Sequence, residues 1–411
     1  MAKRARVAVL GGGLQGACVA LELASAGIAV DLYDKNERCL TQASAQNEGK
    51  LHLGYVYAND RSLRTARTMV AGAISFAPLM RRWLGSGLDT VAVSAPFHYV
   101  VHRDSLLRVA EVEEHFRAAH AIALEASNGE KVDYFGSDYR VAPRRMTTRA
   151  CEALFDSRCA AASFATSEVG IDPEALAALV RARLAAESRI RCLVRAHVHG
   201  VEPGSEAVAV DVEIAGRRSR ERYDHAVNAL WDGRLAVDRT AGMAAPPRPW
   251  LYRVKHYLRL RARAGVNGIP STTIVLGAFG DIAAYANGAF YLSWYPAGMR
   301  GSSAALSPPA WPLVLDDAAA REVQRSILAG LGDVVPNAAV LTEENVESVE
   351  VRAGIIFAWG RTEIDDPASG LHERHAIGPV SRGRYHSIDT GKLTMAPLFG
   401  KMVADRIREM G

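Results

Sequence analysis

Three consecutive glycines behind a short apolar run constrain this chain more than any other feature. Val7-Ala8-Val9-Leu10 suits a buried parallel strand, and Gly11-Gly12-Gly13-Leu14-Gln15-Gly16 follows at once. The spacing fits G-x-G-x-x-G at Gly11, Gly13 and Gly16. Ala17 to Ala26 then reads as a helix of good formers, ended by Gly27 in the C-terminal capping role. Ile28 to Tyr33 reads as a second strand, closed by Asp34 and Lys35. In such a βαβ unit Gly11 allows the tight turn, Gly13 lets the backbone approach a pyrophosphate, and Gly16 lets the helix pack close to the sheet. The helix start at Leu14 and Gln15 offers unpaired N–H groups and a positive dipole end. Asp34 lies 21 residues after Gly13, the spacing of an acid that accepts hydrogen bonds from a ribose diol. Strand, loop, helix, strand and acid in this order indicate a dinucleotide. The unit alone does not separate FAD from NAD.

The chain's 411 residues exceed one ordinary core and suggest two domains, interleaved in sequence. Hydrophobic residues at 49% and charged residues at 23% fit a globular protein. A net charge of +4 binds nucleic acid only if it is concentrated somewhere. The densest basic run, Arg217, Arg218, Arg220 and Arg222, reads instead as a solvated hairpin tip. Cys18, Cys39, Cys151, Cys159 and Cys192 are odd in number and lack C-x-x-C spacing. That argues against a disulfide framework or a metal site and for reduced thiols in a cytoplasmic protein, with Cys18 a small buried hydrophobe. Met1 to Arg6 is basic like an export signal, but the apolar stretch behind it is too short for one. No run of about 18 apolar residues predicts a membrane span.

Thr41 to Lys50 brings small and polar residues directly after the acid strand, with Ala43, Ser44, Asn47 and Gly49 in an A-S-x-x-N-x-G pattern. Here the chain resembles the D-amino-acid oxidase superfamily of FAD enzymes, which includes glycine and sarcosine oxidases and glycerol-3-phosphate dehydrogenases. The resemblance implies that this loop wraps the flavin pyrophosphate. It extends to Glu168-Val-Gly-Ile-Asp172-Pro173 with the helix from Pro173 to Ala186, and to Val198, whose counterpart touches adenine through its backbone. Asp224 to Trp231 resembles the family strand ending in N-A-A-G, with Leu230 and Trp231 where Ala and Gly are usual. Tyr385 to Pro397, ahead of a helix from Leu398 to Met410, resembles the closing motif. There the resemblance places Gly391, Lys392 and Thr394 beside flavin N1 and O2, where N–H groups or a positive charge stabilise the anionic reduced flavin. The implied fold is α/β, with a Rossmann-like FAD-binding domain and an inserted substrate domain built on an antiparallel sheet. Residues 1–90, 146–240 and 346–411 would form the first, and 91–145 and 241–345 the second.

The stretches between the cofactor segments have a different character. Residues 250–296 read as long strands, and Asn287-Gly288 between two strand-like runs predicts a type I′ hairpin. Ala245 to Pro249 and Ser307 to Pro312 read as connections. Tyr285, Phe290, Tyr291, Trp294 and Tyr295 form an aromatic cluster. It is either core packing or a pocket wall in which Tyr291 meets substrate. Lys50 and His52 alternate with leucines and share one face of a strand, placed for a flavin or substrate contact. Arg374, Arg382 and Arg384 lie near the closing motif, and an arginine fork there suits a substrate carboxylate.

His52 and His386 are candidate bases for a hydride transfer from substrate to flavin N5. The expected substrate is a small molecule, an amino acid or secondary amine oxidised at a C–N bond, with oxygen or another acceptor taking the electrons. Oxidation of a C–OH group in a 2-hydroxy acid, polyol phosphate or sugar derivative is the alternative. A flavin-bound RNA-modifying or assembly protein needs a basic face that the sequence does not show. An NAD-only dehydrogenase leaves Ala43–Gly49 and Gly391–Thr394 unexplained.

Overall fold

The computed structural model describes residues 5–244, 246 and 248–410. Residues 1–4 of the basic start, and 245 and 247 of the first proline-rich connection, lie outside them. The opening unit forms as the glycine spacing requires. Strand Arg6–Leu10 pairs in parallel with Ala29–Tyr33, in register from Arg6 opposite Ala29 to Leu10 opposite Tyr33. Helix Leu14–Ser25 joins them, starting a turn earlier than expected because its first residues follow Gly13 directly. Gly27, at φ +82°, ends it.

Around this unit grows a six-stranded sheet in the order Gly378–Arg382, Tyr385–Asp389, His225–Asn228, Arg6–Leu10, Ala29–Tyr33, Ile190–Leu193. All neighbours are parallel except the outer Gly378–Arg382 strand, which turns back on Tyr385–Asp389 as a hairpin. Helices Leu14–Ser25, Pro173–Ala186 and Ala396–Met410 cover it. Gly400 lets the last helix cross the first closely, since a methyl there would lie 2.8 Å from Cys18 Cβ. The Pro173–Ala186 helix has the expected bounds, with the Asp172 carboxylate capping its first N–H groups.

A nine-stranded, mostly antiparallel sheet forms the second layer. Its spine is strand Trp250–Ala262, which pairs with Val346–Trp359 along its length and with Ala289–Trp294 and Met299–Ser303 on the other edge. Two boundaries therefore fall differently from the expected ones. Val346–Trp359, placed in the cofactor domain from residue 346, belongs to this sheet, as does Ala160–Ala165, placed there within 146–240. Long partner strands, rather than chain order, decide membership.

The Asn287-Gly288 hairpin is present between Gly280–Ala284 and Ala289–Trp294, but its turn differs. Only Gly288 takes a left-handed backbone, at φ +79°, and its N–H returns to the Tyr285 carbonyl. That is a type I turn with a glycine bulge rather than type I′. The arginine run is not a hairpin tip either. Arg217–Tyr223 is the outer strand of a separate three-stranded sheet, and the tip is Ala215-Gly216. Arg218 stands opposite Glu213 and Arg220 opposite Asp211, so opposite charges across the ladder hold it. No helix among the described residues is long and apolar enough to cross a membrane.

Candidate active site

The glycine loop is braced at the sheet's carboxyl end, where Gly11 N–H donates to the Tyr33 carbonyl at 2.9 Å. Gly11, at φ +103°, sits so close to the next strand that a Cβ would come within 2.5 Å of the Ala229 carbonyl oxygen. Gly12 N–H donates to Asp34 Oδ2 at 3.0 Å, and Asn36 donates to Oδ1 through both its backbone and side-chain nitrogens at 2.8 Å. Gly16 has no room for a side chain against the Gly11 carbonyl. Gly13 and the first residues of the helix, Leu14 and Gln15, open onto a large cavity. Lys35, beyond the acid, pairs with Asp232 at 2.6 Å.

The Thr41–Lys50 segment folds over this helix start. Ser44 Oγ accepts from Leu14 N–H at 2.7 Å. Asn47 braces the loop, donating to the Ala43 carbonyl at 2.8 Å and accepting from Gly49 N–H at 2.7 Å. Gly49 takes φ +62° and is pressed against the Ile171 carbonyl. The chain then runs extended through Lys50 and His52, paired only by an isolated bridge from Lys50 to Gly170 rather than as a full strand. Both side chains nonetheless face the same cavity. Thr394 locks this stretch: its hydroxyl donates to the Lys50 carbonyl at 3.1 Å and accepts from His52 N–H at 3.2 Å.

The cavity lies between the two sheets and encloses about 1750 Å³ including its mouth. One side is Gly13–Gln15, Ala43–Glu48 and Thr390–Leu393. The other is the antiparallel sheet, with Lys255, Tyr257, Asp281 and Tyr291. Tyr291 stacks on Tyr257 at 4.5 Å, which assigns that part of the aromatic cluster to the wall. Phe290 points to the opposite face, into a different core. Tyr295 lines the cavity from the helical turn that follows the strand.

Charge is concentrated here. Lys50 is buried, ion-paired to Asp281 at 2.7 Å and bonded to Thr273 Oγ1, with its ammonium 4.4 Å over the Phe97 ring. Burial opposes the Glu48 carboxylate, but Lys392, Lys50 and Lys255 around it hold its pKa down at about 2. His52 stands 3.8 Å from Glu48 and 4.0 Å from the wholly buried Glu168. Burial, with Lys392 and Lys50 nearby, pushes its pKa well below the usual histidine range, so the ring is neutral. Its Nδ1 has no partner among the described residues, and neither has the buried hydroxyl of Tyr57 on the same wall. Arg374 enters from the loop after Val346–Trp359. It gives one guanidinium bond to the Phe357 carbonyl at 3.0 Å, and no carboxylate among the described residues lies within 4.0 Å of it. Four cations thus face the cavity against two fixed carboxylates, Glu48 and Asp281.

Several expected site residues lie elsewhere. His386 is buried inside the six-stranded sheet, its Nδ1 2.7 Å from Ser381 Oγ and its Nε2 3.2 Å from His225, and burial lowers its pKa to about 4. Arg382 is exposed and donates to the carbonyls of Ala241 and Gly242. Arg384 donates to the Ser205 carbonyl at 3.2 Å. None of the three reaches the cavity wall. Val198 packs its side chain into the core under the three-stranded sheet, and Ala196 in the same strand donates to the Asp34 carbonyl, so this strand's backbone runs beside the acid. Gly391 and Lys392 do line the cavity; Thr394 sits just behind it.

Residues 6–406 match the family described as FAD dependent oxidoreductase. The chain belongs to that family. No curated protein sequence matches it. Solved structures of like fold cover nearly the whole chain of this FAD dependent oxidoreductase. Glycine oxidase from Geobacillus kaustophilus aligns with TM-score 0.68 at 16% identity, over 99% of this chain and 96% of its own. Iminodiacetate oxidase from Chelativorans sp. BNC1 gives 0.66 at 16%, over 99% and 96%. L-proline dehydrogenase from P. horikoshii gives 0.63 at 15%, over 100% and 94%. At these identities the likeness is one of fold.

The residues present fit FAD. Gly11 and Gly12 pack too tightly on Ala229, Cys39 and Asp34 to carry side chains, and this holds Gly13 and the N-terminus of a buried helix open to the cavity. Lys392 at the Gly391 turn supplies a positive charge on the cavity wall. What the sequence reading did not single out is mostly on the substrate side: Glu48, Tyr57, Glu168, Lys255, Tyr257 and Asp281. Glu48 occupies an unspecified position of the A-S-x-x-N-x-G pattern, and Lys255 and Tyr257 alternate along one strand. Those were the only signals available.

Proposed function

We propose that this FAD dependent oxidoreductase oxidises the C–N bond of a small amino acid or secondary amine that carries a carboxylate. The observation that carries the reading is Arg374, a buried guanidinium on the cavity wall with no carboxylate of the described residues within 4.0 Å, Asp389 acting on it only from further away. A guanidinium holds a planar carboxylate through two parallel bonds, and the unpartnered Tyr57 hydroxyl lies on the same wall. The division of labour follows the layers: the six-stranded sheet and its glycine loop hold the cofactor, and the antiparallel sheet orients the substrate. FAD, when bound, supplies the hydride acceptor. The protein fixes the substrate's carboxylate at Arg374, walls it in with Tyr257 and Tyr291, and favours the uncharged amine, beside which the neutral His52 ring can hydrogen-bond.

His52 also favours a second reading. An imidazole on the cavity wall does not distinguish a hydroxyl from an amine, so a 2-hydroxy acid held by Arg374 is the rival. Anaerobic bleaching of the flavin by paired compounds decides between them. Alanine, sarcosine and proline against lactate and glycolate form a sufficient panel. Amine oxidation predicts bleaching by the nitrogen compounds and loss of saturation in Arg374→Met. Bleaching by the hydroxy acids alone would transfer the assignment to C–OH oxidation. Reduction by simple amines as fast as by amino acids would remove Arg374 from the reading.

A further inference from the structure

The cavity wall carries a second cation that lacks a close protein counter-charge. Lys255 projects from the Trp250–Ala262 strand and is only 8% exposed. Its ammonium stands 4.4 Å over the Tyr295 ring and 6.0 Å from the Tyr291 ring. Among the described residues, Lys50 has Asp281 at 2.7 Å and Lys392 has Glu48 at 3.9 Å, whereas neither Lys255 nor Arg374 has a carboxylate within 4.0 Å. Glu48 and Asp281 feel the Lys255 charge from further away, but both are already engaged by closer lysines. A buried ammonium is normally paired, because solvation lost on burial must be replaced. Aromatic rings replace only part of it. Asp389 likewise acts on Arg374 only from further away, and Tyr295 neighbours both cations, with its ring under Lys255 and its hydroxyl among the groups that act on the Arg374 charge. The two cations come from different elements, the sheet and the loop after Val346–Trp359, and meet on one cavity.

We propose that the substrate carries a second anionic group, taken by Lys255 while Arg374 holds the first. This rests on the reading of Arg374 as a carboxylate anchor and narrows its substrate class to dianions, a dicarboxylic amino acid or an N-carboxyalkyl amino acid. Lys255 stands on the antiparallel sheet, across the cavity from the Gly391–Lys392 turn, so its charge serves the substrate side. With the substrate's amine uncharged, two negative groups match the two cations in excess on the wall.

Unreactive anions test this without turnover. The FAD-loaded enzyme is titrated with propionate and succinate at constant ionic strength, following the perturbation of the flavin absorption bands. Succinate is expected to bind about 10-fold to 100-fold more tightly, the gain of one charge-assisted hydrogen bond. Lys255→Met brings the two affinities together and Lys255→Arg keeps them apart. Arg374→Met weakens both anions. Equal binding of the two anions to the wild type, or an unchanged ratio in Lys255→Met, overturns the second-anion proposal while Arg374 stands. Failure of both anions to bind overturns the Arg374 anchor and the proposal with it.

Discussion

Glu168 offers a test of the electrostatics beneath the cavity that does not depend on the substrate. The carboxyl has no solvent exposure, and it accepts from Leu53 N–H at 2.6 Å and from the Tyr99 hydroxyl. Burial raises its pKa to about 7, although Lys50, Tyr99 and Leu53 pull the other way and Asp281 adds to the rise. Tyr55, Tyr57 and Tyr134 also face it, and His52 Nδ1 stands 4.0 Å away. An unfolded glutamate titrates near 4.5. Between these values the folded chain binds more protons than the unfolded one, so stability falls as pH rises. The contribution is fully present below 4.5 and is lost as pH climbs through about 7. A tenfold change in proton affinity is about 1.4 kcal/mol, so the gap is worth about 3 kcal/mol. Glu168→Gln keeps an acceptor for Leu53 N–H and removes the titration. The wild type should therefore lose about 3 kcal/mol relative to the variant between about pH 4.5 and about pH 8. Urea unfolding of the two proteins across that range, followed by tryptophan fluorescence, measures the difference directly. Parallel stability curves would refute the argument, because they would mean that the buried carboxyl either titrates normally or stays ionised throughout.

Three further perturbations probe other parts of the site. Gly11→Ala forces a methyl to within 2.5 Å of the Ala229 carbonyl in a left-handed backbone, and purified protein should retain little FAD, read as flavin absorbance per chain. Lys50→Met strands Asp281 in the interior and should cost about 3–5 kcal/mol in unfolding free energy. Lys50→Met with Asp281→Asn should recover part of it, and equal losses in the single and double variants would deny the pairing. Lys392→Met removes the charge at the Gly391 turn, so the flavin reduction potential should fall in a dye-coupled equilibrium titration. An unchanged potential would place Lys392 away from the flavin ring.

The cofactor side was legible because its requirements are local. A backbone at φ +103° in contact with a neighbouring carbonyl admits only glycine at position 11, and Gly49 is fixed for the same reason. Asn47 braces residues within four positions of itself. Such demands leave a mark on contiguous sequence. The substrate side follows another logic. Arg382 and His386 looked well placed because they stand a few residues before Gly391, yet Tyr385–Asp389 is a parallel strand whose carboxyl end faces the cavity. At roughly 3.3 Å per residue, its first residues lie a whole sheet-width from that end, and the Gly383 turn carries Arg382 to the surface. Arg374 sits in a loop of no recognisable period, and its position is set by Thr65 Oγ1 and the Phe357 carbonyl, residues 309 and 17 positions away. Tyr57, Lys255 and Arg374 share a wall only because a helical turn, a sheet strand and a loop meet there. A charge needs no special backbone conformation, so nothing near it in sequence signals that it is buried without a partner. That property exists only in the fold, and it is the property on which the assignment of a carboxylate substrate depends.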